Sequence, residues 1–570
     1  MEADIVCVGF GPAAGGFLTK LNSYLTGPDA PMLQVLCYER ADDIGFGVSG
    51  VVTRARAIRE SFPDLKPSDI PMATEVKSEK LIYLLDPHGA SRRSPAVKMM
   101  DALAGVFAGD GFAMTLPYAP DFLHKKDGLI LSIGQFNSWA GSQIMMGGAV
   151  QIWPSSPVLG PLIENGKVVG VQLADVDVRA RLTVVADGPV GPVGRKIDEV
   201  FGMPTGHARD EWAVGMKAVI ELPEDIDVEP GTVLHTLGYP EPEIFGFAYF
   251  HPDRLASVGI FVPSWFDNPV RSTWRYLQHY LQHPHLWQYL RGGKLRSWGA
   301  KSILESGKRG EPWLVGDGYA RIGECSGSTN VLTGSGVDEA WSTGSLLGEA
   351  VIGLLRDGRE FSKENLEKTY VENRRASWLE EESFDAEHAR DGFQRGFVPG
   401  MIGMALAGLS HGRVHVAAEQ VAVSERLQTP EEYFHGIIPP AEIAAIQEEC
   451  AAAGKSVHDA LMDRAGWPPI EYDGQLLMTQ QDALLLGGKV TAGPGEDHVV
   501  FRDPAVCEAC RTQVCIEICS GEAIRPGEEL RPVFDREKCV HCGACLWNCS
   551  SPGGNIEFRA GAGGLHSAEN

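Results

Sequence analysis

A chain of 570 residues has room for roughly two to four domains, and 44% hydrophobic content with 67 glycines fits an α/β enzyme rich in tight turns. A formal net charge of −25 excludes a nucleic-acid partner, because no basic stripe exists to neutralise phosphates, and suits solubility or docking to a basic protein. No apolar run reaches the length of a bilayer-spanning helix, and Met1 to Asp4 lead straight into a strand, so neither a signal peptide nor a transmembrane helix is expected.

From Asp4 an apolar strand feeds the turn Gly9-Phe-Gly11-Pro12-Ala13-Ala14 and then a helix. Gly9 permits the tight turn, Gly11 lets backbone approach a pyrophosphate, and Ala14 is small enough for close helix–strand packing. The free N–H groups of that helix would face the phosphates, with Pro12 and Ala13 in its first turn. A second strand, Leu33 to Tyr38, ends in Glu39 and Arg40, thirty residues after Gly9. An acid there can accept the hydroxyl hydrogens of an adenosine ribose.

Residues 128–163 carry no charge yet are broken by Gln, Asn, Ser, Gly and Pro, which reads as a helix and strand buried beside a cofactor. Leu182 to Ala186 is an apolar strand ending in Asp187-Gly188. Trp313 to Val315 is another, ending in Gly316-Asp317, and Gly334-Ser-Gly336 then opens the helix Val337 to Leu354. A late Gly-Asp followed by a helix suits the ribityl chain and ring of a flavin, for which an NAD-only fold has no use; FAD is the expected cofactor. Between these returns, Trp212 to Val262 alternates as a mixed sheet would. His279, His283 and His285 lack an adjacent acidic ligand and are expected on a helix surface.

Phe397 to Leu409 has no charge and is flanked by Arg395 and Arg413. It suits either a buried core helix or a segment dipping into one leaflet of a membrane. Residues 425–465 look helical and polar, as an inserted surface hairpin would, and 491–497 read as a linker.

Eight of the twelve cysteines follow: Cys507-x2-Cys510-x4-Cys515-x3-Cys519 and Cys539-x2-Cys542-x2-Cys545-x3-Cys549. Structural zinc needs no third cysteine so close to a C-x2-C pair, whereas a cubane iron–sulfur cluster does. In two-cluster ferredoxins the fourth cysteine of each run serves the other cluster. One [4Fe-4S] site is then Cys507, Cys510, Cys515 and Cys549, and the other Cys519, Cys539, Cys542 and Cys545. Short strand-like runs, Ala523-Ile524 and Asn555 to Phe558, follow the two groups, as an internal ferredoxin repeat would have them. Ser520 and Ser550 stand where a proline is usual.

Several stretches in one order resemble the electron-transfer flavoprotein–ubiquinone oxidoreductases over nearly the whole chain. They include the N-terminal glycine turn, Ile44-Gly-Phe-Gly-Val-Ser49-Gly50, Ser61-Phe-Pro-Asp and His235-Thr-Leu-Gly-Tyr-Pro. His283-Pro-His, Gly292-Gly-Lys, Pro469-Ile-Glu-Tyr-Asp-Gly and Cys539-Val-His-Cys-Gly-Ala-Cys continue the series. The resemblance implies an FAD domain, one cluster on Cys519, Cys539, Cys542 and Cys545, and a membrane-facing quinone segment at Phe397 to Leu409. It also implies peripheral attachment at the cytoplasmic face of a membrane, and electrons passing from reduced electron-transfer flavoprotein to quinone. The family has no counterparts of Cys507, Cys510 and Cys515, so a second cluster would be this chain's departure. An FAD-dependent isoprenoid reductase fed by the same clusters, or an electron-transfer subunit without a quinone site, would also use these parts.

The expected architecture is α/β plus α+β. A Rossmann-like FAD domain of the glutathione-reductase type (1–60, 130–205, 305–356) interleaves with a mixed-sheet quinone domain (61–129, 206–304, 357–424). A helical insertion (425–465) and a ferredoxin-like iron–sulfur domain (466–570) complete it.

Overall fold

The computed structural model describes every residue except 46, 47, 49, 270, 487, 491–496, 561–563 and 567–570. Ser49 and most of the expected linker therefore lie outside the described residues.

The chain weaves between two sheets. It enters the first with β1 (Glu2–Val8), turns into α1 (Pro12–Leu25) and returns as β2 (Val35–Tyr38). It crosses to the second with β3 (Ser78–Leu84), α2 (Pro95–Ala108) and β4 (Ala113–Thr115), then comes back for β5 (Val150–Trp153), β6 (Asp177–Val185) and α3 (Pro192–Phe201). A long second visit adds β7 (Trp212–Glu221), β8 (Thr232–Leu237), β9 (Phe245–Phe250), β10 (Leu255–Pro263) and β11 (Lys294–Leu304). The last return supplies β12 (Tyr319–Arg321) and α4 (Val337–Arg356), and α5 (Phe397–Leu409) lies beyond it.

The first sheet runs β12-β6-β1-β2-β5, all parallel, with a short antiparallel strand Val315–Gly316 outside β12 and the hairpin strands Gly160–Glu164 and Lys167–Gln172 attached through β6. Its strands are nearly continuous apolar runs, because one face is covered by α1 and α4 and the other by α3 and the hairpin. The chain leaves β1 toward β2 on one side and later fills β6 on the other. The strand order thus reverses between β1 and β6, where open α/β sheets leave a crevice at their carboxyl ends. Helices α1 and α4 pack very closely beneath this point. A side chain on Gly16 would stand 2.3 Å from the Trp341 carbonyl oxygen, so only glycine lets the helices meet.

The second sheet runs β11-β7-β10-β9-β8-β3-β4 and is mixed, as expected, with β8 and β3 parallel. Period-two alternation sends Ile82, Leu234, Ala248, Val258, Met216 and Ala300 to one face, against Trp274, Leu277, Tyr280 and Leu286 of two helices. The opposite face, carrying Leu81, His235, Phe247, Phe261, Lys217 and Lys301, covers the crevice.

Two expectations change here. His279 and His283 are buried beneath the second sheet, where His283 Nε2 lies 2.9 Å from the Leu85 carbonyl oxygen; apolar residues around them in sequence made that helix a core element. His285, one helix further on, is half-buried. The 425–465 region is helical, but Tyr433, Phe434, Ile443, Leu461 and Met462 join the same core, so it is an integral layer and not a surface hairpin.

Candidate functional site

The crevice between the sheets is a cavity of about 560 Å³ with three distinct walls. At one end, Gly9, Gly11, Pro12 and Ala13 line it. Gly9 has φ +87°, and a side chain there would stand 2.7 Å from the Ala186 carbonyl oxygen of the neighbouring strand end. Gly11 caps α1 without a side-chain hydrogen bond, and space is open where its Cβ would be. The first N–H groups of α1 are thus left for an anion. Ala14 does not line the cavity; it is fully buried between α1 and the sheet, the small-residue position that sets the helix close.

Glu39 braces the glycine turn: Oε2 accepts from the Phe10 N–H at 2.7 Å and Oε1 from the Ala41 N–H at 2.9 Å. A carboxylate has about four acceptor positions, so capacity remains for a ligand hydroxyl. Asp187 caps α3 through Oδ2, which accepts from Val193 and Gly194 at 2.9 and 3.0 Å. Its Oδ1 is buried without a protein partner, and burial raises the carboxyl above its ordinary range. Asp187 and Gly188 line the cavity, as do Gly50, Gly334 and Gly336.

Gly316 and Asp317 do not. The run Trp313 to Val315 turns back through Gly318 and lies antiparallel to β12, so its end sits at the amino edge of the parallel strands, away from the crevice. Asp317 there accepts from the Lys363 N–H. The acid that reaches the cavity is Glu324, in Ile322-Gly323-Glu324 after β12, the strand running parallel to β6. Its Oε1 accepts from the Leu304 N–H at 2.6 Å and Thr329 Oγ1 donates to Oε2. A second small-residue-plus-acid signal a few residues downstream was present in the sequence, but choosing it required the strand direction.

The roof holds two lysines that no sequence pattern marked. Lys217 Nζ donates to the Gly50 carbonyl oxygen at 3.2 Å, and burial pulls its pKa to about 8. Lys301 Nζ donates to the His541 carbonyl oxygen at 3.1 Å; burial and then Arg40 pull it to about 7.

The far end is mostly apolar, with the paired Arg390 and Glu305 as its charged groups. Leu81, Phe122, Leu237, Phe245, Met401 and Met404 line it. Phe397 and Gly400 of α5 are buried inward, while Ile402, Leu406 and Leu409 are exposed. Met99, Leu103, Val106 and Phe107 of α2 are exposed as well, and Val97 and Met100 of α2 share one cluster with Phe397 and Met401. Sequence reading found α5 and missed α2, whose apolar residues are interrupted by Lys98 and Asp101. Among the described residues no helix is long and apolar enough to cross a membrane.

The eight C-terminal cysteines gather into two sets of four. Cys519, Cys539, Cys542 and Cys545 line one small cavity, and Cys549, Cys510 and Cys507 lie close enough to Cys515 to raise it; Cys519 also acts on Cys515, so the two sets adjoin. None of the eight forms a disulfide. Burial, then the neighbouring sulfurs, raises Cys515, Cys539 and Cys545 well above the ordinary thiol range, and burial pushes Cys519 up to about 11. Burial and the neighbouring sulfurs oppose deprotonation of these thiols, and a bound cationic metal centre would reverse that. Backbone N–H groups are already aimed at sulfur: Ala523 at Cys519 (3.2 Å), His541 at Cys539 (3.4 Å) and Asn555 at Cys549 (3.2 Å).

The Cys519, Cys539, Cys542 and Cys545 set lines a small cavity that shares Val540 and Phe558 with the large one. Arg40 Nη1 stands 2.5 Å from His541 Nδ1, and the Ser302 N–H donates to the Cys542 carbonyl oxygen at 2.8 Å. Trp547 stacks on Trp212 with centroids 3.9 Å apart. The cysteine segment is thereby held against both sheets.

Residues 212–303 match the family model described as "ETF-QO, ubiquinone-binding". The chain is 27% identical over 603 aligned positions to a mitochondrial electron transfer flavoprotein-ubiquinone oxidoreductase of Oryza sativa, covering 99% of this chain and 92% of that protein. It is 28% identical to the Pseudomonas aeruginosa protein of the same name over 67% of this chain and 69% of that one. Among solved structures it is similar to a geranylgeranyl bacteriochlorophyll reductase-like protein from Thermoplasma acidophilum, with a TM-score of 0.50, 19% identity, and coverage of 81% of this chain and 99% of that one. That last likeness is one of fold.

Proposed function

This chain is a relative, along nearly all of its length, of the electron transfer flavoprotein–ubiquinone oxidoreductases, and on that premise we propose that it passes electrons from reduced electron-transfer flavoprotein to ubiquinone at a membrane surface. The observation that carries this is one cavity with three walls: a dinucleotide turn, an apolar mouth beside exposed helices, and a four-thiol chamber behind Val540 and Phe558.

The residues fit FAD. The N-terminus of α1 would hold its pyrophosphate, Glu39 its ribose, and Asp187 or Glu324 its ribityl hydroxyls, with Gly334 and Gly336 admitting the ring near α4. The two cysteine sets fit two [4Fe-4S] clusters in a ferredoxin-like C-terminal unit, for the reasons of charge and N–H donation given above. A flavin can exchange electrons singly with iron–sulfur centres and in pairs with quinones, which is the chemistry these groups supply.

The protein's own part is positioning and shielding. Lys217 and Lys301, each held by one backbone carbonyl oxygen, would face the negative charge that reduction places on a flavin or quinone bound in the cavity. Arg40 ties the glycine-turn wall to His541, between two cysteines of the inner set, and so fixes their separation. The exposed faces of α2 and α5 would rest in the headgroup region on the cytoplasmic side, bringing the mouth to a lipid-soluble acceptor.

Anaerobically purified protein should contain one flavin and about eight irons with matching sulfide. It should reduce a ubiquinone analogue when supplied with reduced electron-transfer flavoprotein. A colourless protein, or one holding zinc in place of iron, overturns the reading.

A further inference from the structure

We propose that His124, Glu79 and His235 form a proton relay that carries protons from the protein surface to the quinone in the cavity. It rests on the function proposed above, and adds what electron transfer alone leaves out. Reduction of a quinone to its quinol takes two electrons, from the flavoprotein donor, and two protons. The end of the cavity that suits a quinone is walled by Leu81, Phe122, Leu237, Phe245 and Met401, none of which handles a proton.

His235 stands among them. It lines the cavity, and its Nε2 is 2.7 Å from Glu79 Oε1. The other oxygen, Glu79 Oε2, is 2.5 Å from His124 Nδ1. The exposures decide the direction: the side chain of His124 is 43% exposed, that of Glu79 is 0% and that of His235 is 11%. A wholly buried carboxylate therefore bridges a ring at the surface and a ring in the cavity. The Lys125 backbone N–H also donates to Oε2 at 2.7 Å and holds the carboxylate in place between the two rings.

Strand geometry brings this about. Glu79 on β3 lies on the same face as Leu81, two residues on, and Leu81 is paired with His235 in the parallel β3–β8 register. The other charged or titratable groups nearby have settled roles. Lys125 Nζ donates to the Leu123 and Thr333 carbonyl oxygens, and Arg54 donates to the His124 carbonyl oxygen and to Glu382. Tyr249 stands edge-on to His235 with centroids 6.2 Å apart, and Glu305 accepts from both Arg390 and Trp265. Burial opposes the charge on Glu79, but His235 and Lys125 together more than offset it, so its carboxyl is held below the ordinary range and rests as an acceptor.

With Nε2 committed to Glu79, Nδ1 is the nitrogen left to serve the quinone. His124 takes up a proton from water and passes the one on Nδ1 to the Glu79 carboxylate; the Glu79 acid then gives that proton to His235 Nε2 as Nδ1–H of the same ring releases its own to a quinone oxygen, which leaves Glu79 ionised again, and a half-turn of the His235 ring returns an N–H to the cavity side. A second passage supplies the second proton, and the two electrons and two protons complete the quinol.

The test compares Glu79→Gln, His235→Asn and the surface variant His124→Asn in the complete holoenzyme. Two rates are followed: bleaching of the flavin by reduced electron-transfer flavoprotein without quinone, and steady-state reduction of a ubiquinone analogue in H2O and D2O. The relay expects unchanged bleaching, a KM within about twofold, and kcat lowered about 100-fold in Glu79→Gln and His235→Asn, as loss of an acid–base group does. His124→Asn should fall less and recover with added imidazole, which can reach an exposed position but not a buried one. Normal quinone reduction in all three variants, or a loss that appears equally in flavin bleaching, overturns the relay. No quinone reduction by the unmodified protein overturns the function and the relay with it.

Discussion

Lys308, Arg374 and Arg375 all reach the carboxylate of Glu311, a buried acid that does not line the cavity. Burial by itself would raise Glu311, but Arg374, Arg375 and Lys308 more than reverse this and hold it at about 2. Because the folded carboxyl titrates below its ordinary 4.5, its contribution is complete above that pH and is lost as the pH falls toward 2. The shift corresponds to about 3 kcal/mol at neutral pH. Glu311→Gln should therefore lower the unfolding free energy at pH 7 by an amount of that order, and the gap between the two proteins should narrow on acidification. Urea titrations at pH 7 and pH 3 check this; an equal gap at both would refute it. Nothing in the sequence around Gly310-Glu311-Pro312 distinguishes this acid from a surface one, because its partners arrive from as far as residue 375.

At the scale of elements, α5 shows what an apolar pattern can and cannot say. Its thirteen uncharged residues fitted either a core helix or a membrane-facing one, and the fold uses them as both. Phe397, Gly400, Gly403 and Ala407 are buried, whereas Ile402, Leu406 and Leu409 are exposed. The exposed residues of α2, Leu103, Val106 and Phe107, belong to the same apolar region, and no pattern in either helix alone predicts that the two are neighbours. Replacing Phe107 and Leu409 together with glutamate should abolish sedimentation with phospholipid vesicles while leaving iron and flavin content intact. Undiminished vesicle binding would remove the membrane role from this surface. Strand direction is the other lesson at this scale: Gly316-Asp317 and Gly323-Glu324 are similar signals, and only the antiparallel setting of Val315–Gly316 excludes the first from the cavity.

For the whole molecule the decisive feature is that the cysteine segment rests on both sheets, through Arg40 and His541, through Ser302 and Cys542, and through the stacked Trp212 and Trp547. The inner thiol set adjoins the large cavity, and the outer set does not line it. Cys515→Ser should thus remove about four irons and slow reduction by the flavoprotein donor, yet leave the flavin spectrum and its reduction by dithionite unchanged. Iron analysis with anaerobic spectra checks this, and an unchanged iron content would dismiss a second cluster.

What the sequence determined by itself is local. The glycine turn after β1, the acid ending β2 and the two cysteine runs are short patterns in which spacing along the chain dictates spacing in space, so they were legible without a fold. The tertiary structure decided everything that joins distant segments: which Gly-acid pair reaches the cavity, which lysines roof it, which helix accompanies α5, and how His124, Glu79 and His235 align. Those outcomes depend on strand direction, register and burial, which arise only when residues far apart in sequence pack together.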